Sequence, residues 1–183
     1  VDPAVDGVVL VLPHHVPEAE GLRFTGANAA WIKTRLGALP ERVAFVDGAV
    51  IPVLGVDHVI RHRPDARRGV WADDGVIHVS GQAEHLARRC TDFLRKRARA
   101  ELTERAHGFA ARVGRKVNRV TVRDTRSRWG SCTSRGDLAF SWRLILAPEA
   151  VFDYVVAHEV AHLVELNHSE RFWAVVASLV DGH

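Results

Sequence analysis

The spacing of apolar positions changes near the middle of the chain, and the change separates two sets of expected elements. Before residue 82 the apolar runs are short and broken by turn residues. Residues 5–12 form an apolar run that stops at Pro13. Residues 16–39 place Trp31, Ile32, Leu36 and Leu39 at helical spacing in their second half. Short strands are expected at residues 43–46 and Val50–Val53, on either side of an Asp47-Gly48 turn. Residues 57–63 and Val76–Ser80 read as further strands. Asp74-Gly75 predicts a hairpin turn between residues 70–71 and 76–79. Residues 1–81 are thus expected to be a small β-rich region with one helix.

From Gln82 to Arg112 the period becomes three to four. Leu86, Cys90, Phe93, Leu94, Leu102, Phe109 and Val113 recur at that spacing among charged residues, which predicts a long amphipathic helix. Residues 117–123 alternate like a strand, and 125–136 are polar and loop-like. Residues 137–146 alternate strictly, with Leu138, Phe140, Trp142, Leu144 and Leu146 on one face. Pro148 suits the first position of a helix, and Glu149 suits its first turn. That helix is expected to reach about Leu166 and to end at Asn167 in the left-handed conformation. Ser169 is placed to cap a last helix from Glu170. The class is α+β, with a second domain over residues 82–183.

Composition narrows the class of protein. The chain has 183 residues, 47% hydrophobic and 26% charged, which excludes disordered and collagen-like chains. No apolar run approaches the ~18 to 20 residues of a membrane-spanning helix, so no membrane partner is expected. Two cysteines, Cys90 and Cys132, are too few for a disulfide framework and suit a cytoplasmic protein. No methionine occurs, even at position 1, so the chain is expected to lack its native start.

Charge is unevenly spread. Residues 1–60 carry 4 basic and 7 acidic groups, and residues 129–183 carry 3 and 7. Residues 61–128 carry 18 basic and 8 acidic groups. Arg88, Arg89, Arg95, Lys96, Arg97 and Arg99 crowd the long helix. The 82–128 basic block suits a nucleic acid or nucleotide, although a solvated helix face explains it as well.

The chemistry sits in His158-Glu159-Val160-Ala161-His162. Histidines at i and i+4 share a helix face and can reach one ion, and zinc accepts neutral imidazole nitrogen. Glu159, at a neighbouring angle, can hold and deprotonate a water on that ion. Chance alone gives about 0.04 copies of this pattern in a chain of this composition. A third ligand is needed, and His168 stands ten residues after His158. Related motifs turn at a glycine seven residues after the first histidine; here that position is Glu165, the fallback ligand. His14, His15, His58, His62, His78, His85 and His107 form no ligand-spaced pair and read as surface or packing residues. Tyr154, one turn before His158, and Arg143 are candidates for holding a developing oxyanion.

Residues 126–173 resemble the YgjP-like metallopeptidase family of the zincin class. The matching stretches are Arg128-Trp129-Gly130-Ser131-Cys132, Trp142-Arg143-Leu144-Ile145 and Asp153-Tyr154-Val155-Val156-Ala157-His158-Glu159. His162-Leu163, Asn167-His168-Ser169 and Phe172-Trp173 complete them. The resemblance implies a zincin-like core, in which a small twisted sheet accompanies the active-site helix. It also implies one zinc per chain on His158, His162 and His168, with Glu159 as the catalytic carboxylate. Residues 137–146 would then resemble the edge strand along which an extended peptide docks. The family continues further beyond Trp173 than this chain does, so the C-terminus is expected to be incomplete.

The expected activity is zinc-dependent hydrolysis of peptide bonds in a peptide or protein substrate. A zinc-dependent nucleotide hydrolase is the alternative for the same water activation, although no glycine-rich phosphate loop supports it. A nucleic-acid-associated peptidase of the SprT-like kind would use the basic block as a tether. A non-catalytic zinc module fits less well, because a structural site fills four positions with protein ligands.

Overall fold

The computed structural model describes residues 8–37, 43–125 and 127–180. Two compact units divide the chain, Val1–Arg42 and Val43–His183. The first carries α1 (Glu18–Ala27) and α2 (Ala29–Gly37). Glu18 and Glu20 in the first turn of α1 complement its dipole. Asn28 interrupts the run: its side-chain amide donates to the Phe24 carbonyl at 2.8 Å. Ile32 then donates to the Asn28 carbonyl at 3.0 Å, and α2 has already begun. Two helices therefore stand where one was expected. Residues 8–12 have no regular structure, and residues 5–7 and Leu39 lie outside the described residues.

The second unit opens with β1 (Val50–Val53), β2 (Val56–Arg63), β3 (Val70–Asp73) and β4 (Val76–Ser80), in the order β1-β2-β4-β3. Asp74 and Gly75 both have positive φ, 44° and 71°, as a two-residue hairpin turn requires. Leu54 and Gly55, at 51° and 81°, make the same kind of turn between β1 and β2. Leucine is a poor turn signal, so this hairpin is not legible in the sequence. Residues 43–46 form no strand. Instead the Asp47-Gly48 turn sends the Gly48 N–H to the Ile60 carbonyl at 2.8 Å. β2 and β4 run parallel, with the fully buried Ile60 and Ile77 opposite each other.

A short 3-10 turn, Ala83–His85, leads into α3 (Leu86–Arg112). Its buried residues are Leu86, Cys90, Leu94, Ala98, Leu102, Ala106 and Ala110, one for each turn. Four of these positions are small or alanine, so α3 packs closely on both sheets and on the next helix. The β1–β4 sheet shares one hydrophobic core with α3 and with the elements C-terminal to it. Residue 81/82, expected as a boundary, falls inside this unit.

The second sheet contains β5 (Arg119–Arg123), β6 (Gly130–Cys132) and β7 (Asp137–Ser141), in the order β5-β7-β6. β5 and β7 are parallel, and β6 is antiparallel to β7 on its other side. The two sheets thus repeat one arrangement: a parallel pair with the intervening strand hairpinned on the outside. β6 lies inside the stretch expected to be loop. β7 is central, so residues 137–146 are not an edge strand; among the described residues the edges are β5 and β6.

The strand also stops early, because Trp142–Leu146 is a 3-10 helix. Ser141 Oγ accepts from the Arg143 N–H at 3.4 Å and turns the chain there. Trp142, Leu144 and Ile145 are all buried, a pattern that strict alternation cannot give.

α4 (Glu149–Ala161) and α5 (Glu170–Leu179) are the last elements among the described residues. Pro148 is the cap of α4 rather than its first residue, and α4 ends five residues short of Leu166. Ser169 caps α5 as expected, accepting from the Phe172 N–H at 3.4 Å. Arg105 ties α3 to α4: it donates to Glu149 at 2.7 Å and to Asp153, with Glu101 at 3.7 Å. Among the described residues no helix is long and apolar enough to cross a membrane.

Candidate metal centre

His158 lies on the last full turn of α4, and His162 is the residue that ends that helix. The chain then turns through hydrogen bonds from Leu163, Val164 and Glu165 back to Val160 and Ala161. This turn returns His168 to the histidine pair just before the Ser169 cap of α5. Asn167 does not adopt positive φ, which outside glycine occurs at Leu54 and Asp74 among the described residues. The reversal is thus built from the helix end, and the expected left-handed Asn167 is not used.

The ligand atoms of His158, His162 and His168 lie within 4.8 Å of one another. His158 Nε2 and His168 Nε2 are 3.1 Å apart. Two nitrogens on a tetrahedral zinc would stand about 3.3 Å apart, so the pair needs little adjustment. His162 Nδ1 is 3.2 Å from the Glu165 carbonyl. A carbonyl only accepts, so Nδ1 carries the proton and Nε2 keeps its lone pair for an ion. The donor set fits zinc. Glu165 is not in the cluster: its carboxylate accepts from the Asn167 N–H at 3.5 Å.

Aromatic rings brace the three histidines. Phe172 is fully buried, with its ring centre 4.6 to 4.9 Å from all three imidazoles. Trp173 stacks on His168 at 5.8 Å and 25°. Burial and the neighbouring His162 and His168 push His158 down to about 4, which keeps its imidazole in the neutral, ligating form.

Glu159 is buried, and burial pushes its carboxyl up to about 7, against a lowering by the positive charge of Arg128. Gly130 on β6 lies against its side chain. Tyr154 sits one turn before His158, with ring centres 6.1 Å apart. Arg143 is ion-paired with Asp124 and lies over the Trp142 ring at 5.0 Å. Sequence reasoning assigned no role to Gly130, Arg128 or Trp173. A glycine between tryptophan and serine was the available signal for a close approach.

Three of the remaining histidines bond or stack within the β1–β4 region. His58 Nδ1 bonds to the Val56 carbonyl at 2.8 Å, His62 Nε2 to the Gly81 carbonyl at 2.6 Å, and His78 stacks on Trp71.

Three imidazoles that can share one ion thus stand beside a buried carboxylate on an α+β frame. The chain belongs to the YgjP-like metallopeptidase family, whose domain model matches residues 1–183. The resemblance carried by residues 126–173 therefore extends over the whole chain, and the protein is a peptidase-class hydrolase. No curated protein matches it. Among solved structures it is similar to the metallopeptidase zymogen of Pyrococcus abyssi abylysin, with 24% identity and a TM-score of 0.37. That likeness covers 45% of this chain and 80% of the other.

Proposed function

We propose that the protein hydrolyses peptide bonds with one zinc per chain on His158, His162 and His168, and with Glu159 as the proton carrier. The observation that carries this reading is the buried Glu159 next to a cluster of three convergent imidazoles. A zinc held by these three histidines would supply Lewis acidity, which polarises a carbonyl and makes water more acidic. Glu159 takes the proton of the attacking water and passes it to the departing amine. A carboxyl poised near neutrality suits both steps.

Tyr154 is the first candidate for donating to the oxyanion, since its ring centre lies 6.1 Å from that of His158. Arg143 is the second, and its pairing with Asp124 would have to loosen for that role. An extended peptide would pair with the open side of β6, which runs past Glu159 at Gly130. A cytoplasmic location is part of the proposal and is supported by two free thiols, Cys90 and Cys132.

The test is elemental mass spectrometry of the purified chain, together with a peptide-library assay. About one zinc per chain is expected in the wild type and in Glu159→Gln, and none in His162→Ala. Peptide cleavage is expected in the wild type alone. Wild-type protein that takes up no zinc, or Glu159→Gln that cleaves at the wild-type rate, overturns the reading.

A further inference from the structure

A cavity of about 440 Å³ opens between α3 and the end of β5, and none of the three histidines lines it. Arg95, Lys96, Arg99 and Arg123 line it, with Asp124 as the single carboxylate. We propose that this cavity is a binding site for a phosphate-bearing ligand.

The charge there is unbalanced. Asp124 is occupied by Arg95, at 3.1 Å, and by Arg143. Lys96, Arg99 and Arg123 form no ion pair among the described residues. Three cations thus face one concave space without a counter-charge, where walls of low polarity strengthen their field. Guanidinium groups match phosphate oxygens in a two-pronged geometry.

A second, independent feature is Trp142, which also lines the cavity. It is 4% exposed, and its indole N–H has no acceptor among the described residues. A buried donor without a partner is costly, and here it belongs to a residue of the cavity wall. Arg95 and Arg143 lie over the Trp142 ring, at 5.6 and 5.0 Å, so the ring is already occupied and offers no platform for a base. The site therefore recognises phosphate rather than nucleobase.

The positive surface continues along α3. A neighbouring cavity of about 530 Å³ shares Lys96 and adds Arg89 and Arg97, with Asp92, paired with Arg88 at 3.4 Å, as its carboxylate. From Arg89 to Arg99 the helix spans about 15 Å, enough for more than one phosphate of a polynucleotide strand. What reads in sequence as a solvated arginine-rich face is thus partly concave. The same chemistry is offered by a polynucleotide backbone and by a free polyphosphate, and one probe of each kind separates the two. This inference is independent of the peptidase reading, because no ligand of the metal cluster lines the cavity.

The test uses the full chain at about 50 mM salt with three probes: labelled single-stranded DNA, tripolyphosphate and polyglutamate. Arg99→Ala/Arg123→Ala empties the cavity of two unpaired cations. Arg67→Ala/Arg115→Ala removes the same charge from exposed positions elsewhere.

The phosphate probes are expected to bind. The cavity variant should lose about tenfold in affinity, and the control less than about threefold. The Trp142 indole proton resonance, assigned with Trp142→Phe, should shift as the probe is added. Much tighter binding of DNA identifies a polynucleotide ligand; equal binding of tripolyphosphate identifies a free phosphate compound. Equal losses in the two variants, equally tight polyglutamate binding, or no binding in the wild type overturns the proposal.

Discussion

Gly130 presses its α-carbon against the Glu159 side chain so closely that any Cβ would lie 2.6 Å from both Cγ and Oε1. Glu159 is buried, so it has little room to retreat. Gly130→Ala is therefore expected to move the carboxylate while leaving the three histidines in place. Misplacing a catalytic group by about 1 Å can cost about a hundredfold in rate. Turnover should fall by tenfold or more at unchanged zinc content, with KM changed much less. A variant with wild-type kcat would show that Glu159 does not need its present position.

Metal content discriminates between the two candidates for third ligand. His168 Nε2 lies 3.1 Å from His158 Nε2, whereas Glu165 turns its carboxylate to the Asn167 N–H. His168→Ala is expected to lose zinc on dialysis, and Glu165→Ala to retain about one per chain. Loss in the second variant only would reverse the ligand assignment.

Arg105 links α3 to the helix that carries His158 and Glu159. Its guanidinium faces Glu149 and Asp153, with Glu101 nearby, and its side chain is 20% exposed. Removing the cation leaves three carboxylates facing one another. Arg105→Ala should lower stability by about 1 to 3 kcal/mol, and Arg105→Lys by less. Urea denaturation followed by circular dichroism reads the difference. An unchanged midpoint in Arg105→Ala would show that the cluster contributes no net stability.

Cys132 is held in its thiol form. Burial, and then the negative charges of Glu159 and Asp137, push it up to about 11. Only the thiolate alkylates readily, so its rate should climb with pH up to that value. At pH 8 alkylation should be about a hundredfold slower in the folded protein than in guanidinium. Glu159→Gln removes one of the negative charges and should speed the reaction. Mass spectrometry after timed iodoacetamide treatment measures both; a folded rate equal to the unfolded one would contradict this account.

Local order was legible in the sequence where one residue type enforces it. Asp74-Gly75 dictates a hairpin turn, Ser169 caps α5, and the period of α3 follows from one apolar residue per turn. The histidine cluster was legible too, because i, i+4 spacing on a helix fixes two of its three members. Features set by tertiary contact were hidden. Leu54 enters a left-handed turn against its own preference. Residues 142–146 alternate like a strand yet coil, because Ser141 turns the chain and both Leu144 and Ile145 find the core. The role of Gly130 required knowing that β6 passes Glu159, and three residues in a polar stretch carry no periodic signal.

In each sheet the outer hairpin strand is hydrogen-bonded to one neighbouring strand only, while the parallel pair beside it is joined by its own ladder. For β6 this means that the segment beside Glu159 can lift away from β7 without unravelling β5 and β7. Its backbone amides should exchange with solvent faster than those of β7. The strand beside Glu159 is thus a detachable flap on a fixed frame, and an extended peptide that paired with it would fasten it down.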